Sequence, residues 1–318
     1  MEPCDNGGSF VCAHDEGALT RESTRTLAQL EALIGRDGVS AEYVRFRIDL
    51  LKGQWAVRKA FAKALSAGDE HDRTQAATDT HKGQAVPVFD EAALALEPTM
   101  LASLFELLHP AIRKDDRQSA DIQALLAGVE TKPALLGELV RLSAFAPDGE
   151  DLTQMSERLG ASVEALLFFG RALAAPLLTE LASRTGRGAE SDTSSSGPPG
   201  CCGLCGSPPG MARLRRDDGK RILHCSLCTG TWAFSRLECP FCGNRQHGRL
   251  SYLRANETDP WWIETCEKCK RYIKVVDERR LALDEETIML VADVATLHLD
   301  LLAEREGYQR RMPYTALS

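Results

Sequence analysis

Cysteine is missing from positions 13 to 200, which is more than half of this 318-residue chain. Cys4 and Cys12 precede the gap, and the other nine cysteines follow it between positions 201 and 269. A disulfide framework requires an oxidising compartment, and a large cysteine-free half is not typical of a small disulfide-stabilised protein. The clustering therefore indicates metal binding in a reducing compartment.

Export and membrane signals are missing as well. The first twenty residues, MEPCDNGGSFVCAHDEGALT, have acidic residues and no basic segment before an apolar run, which argues against a secretory signal. The apolar stretch ALLFFGRALAAPLLTELA is interrupted by Arg171, Pro176 and Glu180, so we expect no membrane insertion. Arginine pairs occur only far from the N-terminus, where a twin-arginine signal cannot act. We therefore expect a cytoplasmic protein.

A strong positive charge is not found where the cysteines are. The whole chain has a formal net charge of −8, and residues 201–283 hold 15 Lys and Arg against 9 Asp and Glu. Eight metal-bound thiolates around two divalent ions would lower that local excess to about +2. Charge alone therefore does not indicate a nucleic-acid partner, and we expect none.

The cysteine-poor half is predicted to be an all-α domain over residues 20–185, after an N-terminal tail at 1–19. Apolar residues repeat at helical spacing over residues 20–65. Further helices are predicted at about 98–109, 116–129, 133–145 and 151–184, the last with a break near Gly160. Residues 66–90 lack the helical period, so His71 and His81 are predicted to lie in a loop and not in a metal site.

Three further regions are predicted after the helices. Residues 186–200 are rich in Gly, Ser and Pro and form a linker to tandem four-cysteine ribbons at 201–280. Residues 281–318 are predicted to be a C-terminal helix and tail, with the helix beginning near Asp284. Its buried face would comprise Leu290, Val294, Leu297 and Leu301. Because the helical domain has apolar faces of its own, we expect a fragment ending near Gly188 to unfold cooperatively.

Four Cys-x-x-Cys pairs in under seventy residues carry the strongest chemical signal. Two intervening residues let a tight turn direct both sulfurs at one ion, and backbone N–H groups of the turn stabilise the thiolates. Four pairs predict two four-thiolate sites. The predicted ligands are Cys202, Cys205, Cys225, Cys228, Cys239, Cys242, Cys266 and Cys269.

Strand-like runs between the pairs predict β-hairpins that bring the first pair to the second and the third to the fourth. Gly206 and Gly243 directly follow their pairs and suit a left-handed position that completes the turn. Thr229 and Lys270 occupy the equivalent places in the other two pairs. Cys201 is left over; we favour Cys202 as the ligand because it has the C-x-x-C-G context.

The chemistry of the ligands leaves the function open among several classes. Zinc is the usual ion of four thiolates, but rubredoxins hold iron in the same way. No open three-ligand site is evident, so we expect no enzyme. A nucleic-acid-binding ribbon protein, suggested only by Trp261, Trp262 and Arg254, and a rubredoxin-like electron carrier remain alternatives.

The segments around the cysteines resemble a known family. CGLCGSPPG, RILHCSLCTGTWAFSRLECPFCGN, ETCEKCKRYIKVVD and LVADVATLHLDLLAEREGYQR, within about 200–310, are similar to the formate dehydrogenase accessory proteins of the FdhE family. The resemblance implies a cytoplasmic, chaperone-like maturation factor that binds the formate dehydrogenase catalytic subunit before export. It also implies rubredoxin-like iron, two ions per chain, held by the eight paired cysteines. Thr229 and Lys270 depart from the glycines common in the family.

Overall fold

A computed structural model gives the fold. The described residues are 16–36, 38–67, 87–112, 119–147, 149–185, 200–282 and 288–311. Cys4, Cys12, His71 and His81 lie outside them, as does most of the predicted linker. The predicted fold class is confirmed: a helical N-terminal part is followed by a small sheet with two four-cysteine clusters, and then by C-terminal helices.

The helical part follows the apolar periodicity closely. Its helices are α1 (Glu16–Glu31), α2 (Ala41–Ala67), α3 (Pro98–Ile112), α4 (Ser119–Thr131), α5 (Ala134–Phe145), α6 (Glu150–Leu159) and α7 (Val163–Arg184). The expected break falls at Gly160, which takes a left-handed φ of 68° at the end of α6. Ser162 then caps α7 by accepting a hydrogen bond from the Ala165 N–H.

Helix α7 is the central helix of the core. By length and composition it is apolar enough to cross a membrane, yet 83% of its most apolar window is buried inside the fold. Pro176 cannot donate to the Ala172 carbonyl, and the Gln54 side-chain amide does so instead at 3.0 Å. Buried Glu180 pairs with Arg58 at 3.2 Å and with Arg184 at 2.9 Å. The carbonyl left free by Pro176 and the carboxylate of Glu180 are therefore both paired inside the fold.

Six strands form one mixed sheet after the helices. They are β1 (Pro209–Leu214), β2 (Arg221–Cys225), β3 (Thr231–Ala233), β4 (Leu250–Leu253), β5 (Trp261–Cys266) and β6 (Arg271–Asp277). Their order is β3-β2-β1-β6-β5-β4. Every neighbouring pair is antiparallel except β1 and β6, which pair in parallel from Met211–Lys274 to Leu214–Asp277.

The sheet is a tandem repeat of one unit. Each unit runs cysteine pair, strand, strand, cysteine pair, strand, with β1–β3 in the first and β4–β6 in the second. The first strand of the first unit pairs with the last strand of the second. As a result β3 and β4 lie at the two edges of the sheet.

The helical part and the sheet share one hydrophobic core. Ala212, Leu223 and Val275 are register partners on one sheet face and belong to the cluster that contains α2 to α7. Met211 and Val276 on the other face pack with α1 and α2. The domain boundaries drawn from the sequence remain a prediction, but the shared core adds a cost to separating the parts, because a fragment ending near residue 188 would expose this face.

The C-terminal region differs from the single long helix that the sequence predicts. It forms α8 (Met289–Ala295) and α9 (Leu297–Arg305) with a break at Thr296. The Thr296 hydroxyl donates to the Ala292 carbonyl at 2.6 Å, and the Lys274 ammonium donates to the Asp293 carbonyl at 2.8 Å. These bonds occupy carbonyls that a continuous helix would use.

The break also changes the buried face of the C-terminal region. Leu290 and Val294 of α8 are buried as predicted, whereas Leu301 of α9 is 57% exposed. Leu299 and Ala303 are buried in its place, against Ile263 and Tyr272 of the sheet among others. The predicted stripe is therefore wrong beyond the break, because the second helix presents a different side to the sheet.

A buried ion cluster joins these helices to β6. The Lys274 ammonium lies 2.7 Å from Asp293 Oδ1 and 2.7 Å from Asp300 Oδ2, and Arg310 lies 2.6 Å from Asp293 Oδ1. Burial alone would raise the pKa of Asp293, but Arg310, Lys274 and Arg47 hold it well below its usual range. Asp293 therefore contributes stability above its unfolded pKa of about 4, and that contribution is lost as the pH falls.

Lys274→Met should lower the free energy of unfolding by about 3–5 kcal/mol, because the buried Asp293 carboxylate and the partly buried Asp300 carboxylate lose a cation. Lys220→Met, which removes an exposed lysine 3.6 Å from Asp218, should change it little. Denaturant unfolding measures both. The difference in the free energy of unfolding between Lys274→Met and the unmodified protein should become smaller below about pH 4, where Asp293 gains a proton on unfolding. Equal stability of the two variants at pH 7 would contradict a stabilising ion cluster.

Candidate metal centres

The structure brings the eight predicted cysteines together in two groups of four. Cys202, Cys205, Cys225 and Cys228 form the first cluster, and Cys239, Cys242, Cys266 and Cys269 form the second. In each cluster all four sulfurs lie within 4.8 Å of one another. Adjacent pairs along the chain share a cluster, as the hairpins predict, and Cys202, not Cys201, enters the first cluster.

The sulfur spacing in both clusters fits tetrahedral coordination of one ion. The sulfur–sulfur distances are 3.6 Å for Cys202–Cys228, 3.4 Å for Cys205–Cys225, and 3.7 Å for both Cys239–Cys269 and Cys242–Cys266. Four sulfurs at about 2.3 Å from a central ion lie about 3.8 Å apart. Four cysteines supply every position of such a site, which leaves none for a water molecule or a substrate. Both zinc and iron accept this ligand set.

Backbone N–H groups point at the sulfurs, as the short turns predict. The Leu227 and Cys228 amides lie 3.3 and 3.4 Å from the Cys225 sulfur. The Phe241 amide lies 3.5 Å from the Cys239 sulfur. These donors stabilise thiolates and so support metal binding.

The residue after each cysteine pair is left-handed. Gly206 and Gly243 have φ values of 73° and 66°, and Thr229 and Lys270 have φ values of 61° and 53°. The amides of Gly206, Gly243 and Lys270 each donate to the carbonyl of the first cysteine of their pair at 2.8 to 3.0 Å. The four turns therefore have one geometry, and the two non-glycine residues adopt it at a cost in conformational energy.

The two clusters differ in their surroundings. All four cysteines of the first are buried and belong to the core shared with the helices. In the second, Cys242 and Cys269 are only partly buried. Burial still raises the pKa of the Cys269 thiol to about 11. The second cluster thus lies closer to solvent than the first.

Arg171 of α7 is a fully buried guanidinium beside the first cluster. Its Nη2 atom lies 2.8 Å from the hydroxyl of Ser226, which stands between Cys225 and Cys228. Its Nε and Nη1 atoms have no hydrogen-bond partner within the described residues. Burial lowers the pKa of Arg171, and Cys225, Cys205 and Cys228 oppose that shift. A buried cation requires an anion, and a four-thiolate site with a divalent ion carries a charge of about −2.

The other histidines and aromatic residues near the clusters are not placed to bind metal. Burial lowers the pKa of His224 to about 3, and its ring accepts a hydrogen bond from Arg213 at 3.1 Å. Trp262 is buried, and the Arg254 guanidinium stacks 4.1 Å from the centroid of its ring. Trp262 is thus packed within the fold, and Trp261 is partly buried against the cluster that contains Leu299 and Ala303, so the two do not form an open stacking platform for nucleotide bases. His247 is exposed and belongs to neither cluster. Sequence reasoning missed Arg171, whose only signal was a charge in an apolar helix.

Comparison with known proteins finds similarity over the second repeat unit and the C-terminal helices. A family model described as FdhE, C-terminal domain, matches residues 237–317. The Protein FdhE homolog of Aquifex aeolicus is 36% identical over 110 residues, which cover 34% of this chain and 38% of that protein. The cysteine-rich part of this chain is therefore similar in sequence to proteins of the FdhE family. The resemblance noted in the sequence is thereby confirmed.

Other FdhE proteins match at similar length. The homolog of Stutzerimonas stutzeri is 42% identical over 122 residues, covering 37% of this chain and 38% of that protein. The Protein FdhE of Escherichia coli K12 is 34% identical over 112 residues, covering 34% and 35%. The matches thus span less than two fifths of each of these three relatives.

The fold of the whole chain is similar to a solved FdhE structure. The crystal structure of the FdhE protein from Pseudomonas aeruginosa superposes with a TM-score of 0.62 and 22% identity. The alignment covers 94% of this chain and 95% of that one. At this identity the likeness concerns the fold, which includes the helical part outside the residues 237–317 that the family model matches.

Replacing Arg171 should weaken metal binding at the first cluster only. Arg171→Met removes the buried cation, so we expect the affinity of that cluster to fall about 10–100-fold. Chelator competition on protein loaded with two ions should resolve one weakened site and one unchanged site. The second cluster serves as the control within the same molecule. Equal loss from both sites, or loss from neither, would rule out a specific charge partnership.

Relieving the left-handed strain at Thr229 should stabilise the loaded protein. Thr229→Gly is expected to raise the free energy of unfolding by up to about 1 kcal/mol, since glycine takes a positive φ without a Cβ clash. Gly206→Ala should lower the free energy of unfolding. Gly206 has a φ of 73°, which alanine rarely adopts, and a Cβ at this position would lie 3.0 Å from Pro87. Denaturant titration of both variants tests the sign. A destabilised Thr229→Gly protein would contradict the strain argument.

Proposed function

We propose that this chain is an accessory factor for the maturation of respiratory formate dehydrogenase and that it binds the catalytic subunit in the cytoplasm before export. The observation that carries this proposal is the similarity of the cysteine-rich part to FdhE proteins, together with two closed four-thiolate clusters. Such clusters hold a domain in shape and offer no coordination position for a substrate. We accordingly propose a binding protein and not an enzyme.

The proposed ligands are the eight clustered cysteines, and the proposed cofactor is iron at two ions per chain. The tetrahedral spacing of the sulfurs supports four-thiolate coordination without selecting between iron and zinc. Elemental analysis of protein isolated without oxygen tests the assignment. Two irons per chain are expected; two zinc ions would overturn the iron assignment alone, and fewer than two metals would overturn the ligand set.

A rubredoxin-like electron carrier is the second candidate function. It is favoured by the partial exposure of Cys242 and Cys269, since an electron-transfer site must lie near the surface. Reversible reduction of an iron-loaded protein at a defined potential would support it. A redox-inactive zinc protein that binds the client would exclude it.

The chain offers a matched pair of cysteine variants for testing the maturation role. Cys266→Ser removes a ligand of the second cluster, so we expect loss of one metal, unfolding of that ribbon and loss of catalytic-subunit binding. Cys201→Ser removes a cysteine outside both clusters and should keep two metals and full binding. Metal content and co-purification with the catalytic subunit measure both outcomes.

Cells lacking the protein provide the independent test of the role. They should lose respiratory formate oxidation, and Cys201→Ser, but not Cys266→Ser, should restore it. Normal formate dehydrogenase activity in the deleted strain, together with no association of the purified proteins, would refute the proposal.

A further inference from the structure

One part of the sheet face remains open beside the second cluster. Side chains of register partners Tyr252, Glu264 and Ile273 lie on the face that the helices cover over β1 and β2. Near β4 a groove of about 440 Å³ lies between this face and residues 236–241. Cys239 and Cys266 line it, so the groove adjoins the second cluster.

The groove is apolar at its floor and at its rim. Its apolar lining comprises Leu237, Pro240, Phe241, Leu250, Tyr252 and Ile273. Leu237 is 59% exposed and Tyr252 is 65% exposed, which is unusual for side chains of this size. An apolar ligand side chain would remove both from water.

The unpaired charge in the groove is positive. Glu238 pairs with Arg245 at 2.8 Å, and Glu264 pairs with Arg221 at 2.5 Å. Arg236 and Arg271 also line the groove, and neither has a carboxylate partner within the part of the chain that the structure describes. A ligand carrying a carboxylate beside its apolar group therefore complements this lining.

Buried Arg221 fixes the wall of the groove. Besides Glu264 it donates hydrogen bonds to the carbonyl oxygens of Ser235 and Glu238. Arg221 thus attaches the wall formed by residues 236–241 to the sheet, and the same wall continues into the Cys239–Cys242 turn. The groove is built before any ligand arrives, which lowers the entropic cost of binding.

The repeat indicates how a ligand would pair with β4. In the first unit the outer edge of β1 accepts β6 as a parallel strand. Strand β4 is the equivalent of β1 in the second unit, and among the described residues its outer edge has no strand partner. Backbone N–H and C=O groups on such an edge can pair with an added strand, whose alternate side chains would face the groove.

We propose that this groove and the outer edge of β4 bind an extended segment of the client protein that carries a large apolar side chain next to a carboxylate. The segment adds parallel to β4, as β6 adds to β1. The inference rests on the proposed function, since the client is the partner proposed above. It assigns the recognition surface to the second unit and not to the helices.

Leu237→Ser, Tyr252→Ser and Arg236→Glu test the surface with the purified formate dehydrogenase catalytic subunit. Each is expected to weaken binding about tenfold or more, and the effect of Arg236→Glu should shrink at high salt. Leu301→Ser and Arg305→Glu are the matched controls, because Leu301 is 57% exposed on α9 and Arg305 is exposed nearby. Both controls should bind like the unmodified protein, and all five variants should keep two metals.

Hydrogen exchange provides a readout of strand addition. The amides of residues 250–253 should exchange more slowly in the complex than in the free protein. If the unmodified protein binds the client and the three groove variants bind equally well, the groove proposal falls while the maturation role stands. If the unmodified protein does not bind the catalytic subunit, both fall.

Discussion

The buried charge of Arg171 is the constraint on which the arrangement of the molecule depends. A guanidinium inside an apolar helix would be very costly unless an anion lay beside it. Its hydrogen bond to Ser226 places α7 against the turn that contains Cys225 and Cys228. The central helix, the shared core and the first cluster are therefore held in one geometry, and metal at that cluster acts on the packing of the helical part as well as on the ribbon.

The two repeat units have the same order of elements and different environments. The first unit is sealed by α7 and by the chain around Val88, whose amide donates to the Gly203 carbonyl at 3.1 Å. The second is covered on one face by α9, and its other face is open near β4. One unit thus serves the interior of the protein, and the other is available for contacts outside it.

Local patterns determined what was predictable from the sequence. Periodic apolar residues predict α2 to α7 within a few residues, and the Cys-x-x-Cys spacing predicts both clusters because ligands, turns and hairpins are all short-range. The misses are long-range. The break at Thr296 depends on Lys274, and the parallel pairing of β1 with β6 joins segments about sixty residues apart.

The parallel joint between the units has a consequence for self-association. The edge of β3 is equivalent to the edge of β6 in the joint, and the edge of β4 is equivalent to the edge of β1. Two molecules therefore present complementary edges to each other. A head-to-tail contact between these edges lacks closing symmetry and would grow into a fibre. Strand length limits this contact, because β3 offers only three residues to pair with β4, whereas the joint between β1 and β6 extends over four residue pairs. A partner strand as long as β6 would therefore outcompete a second copy for the edge of β4.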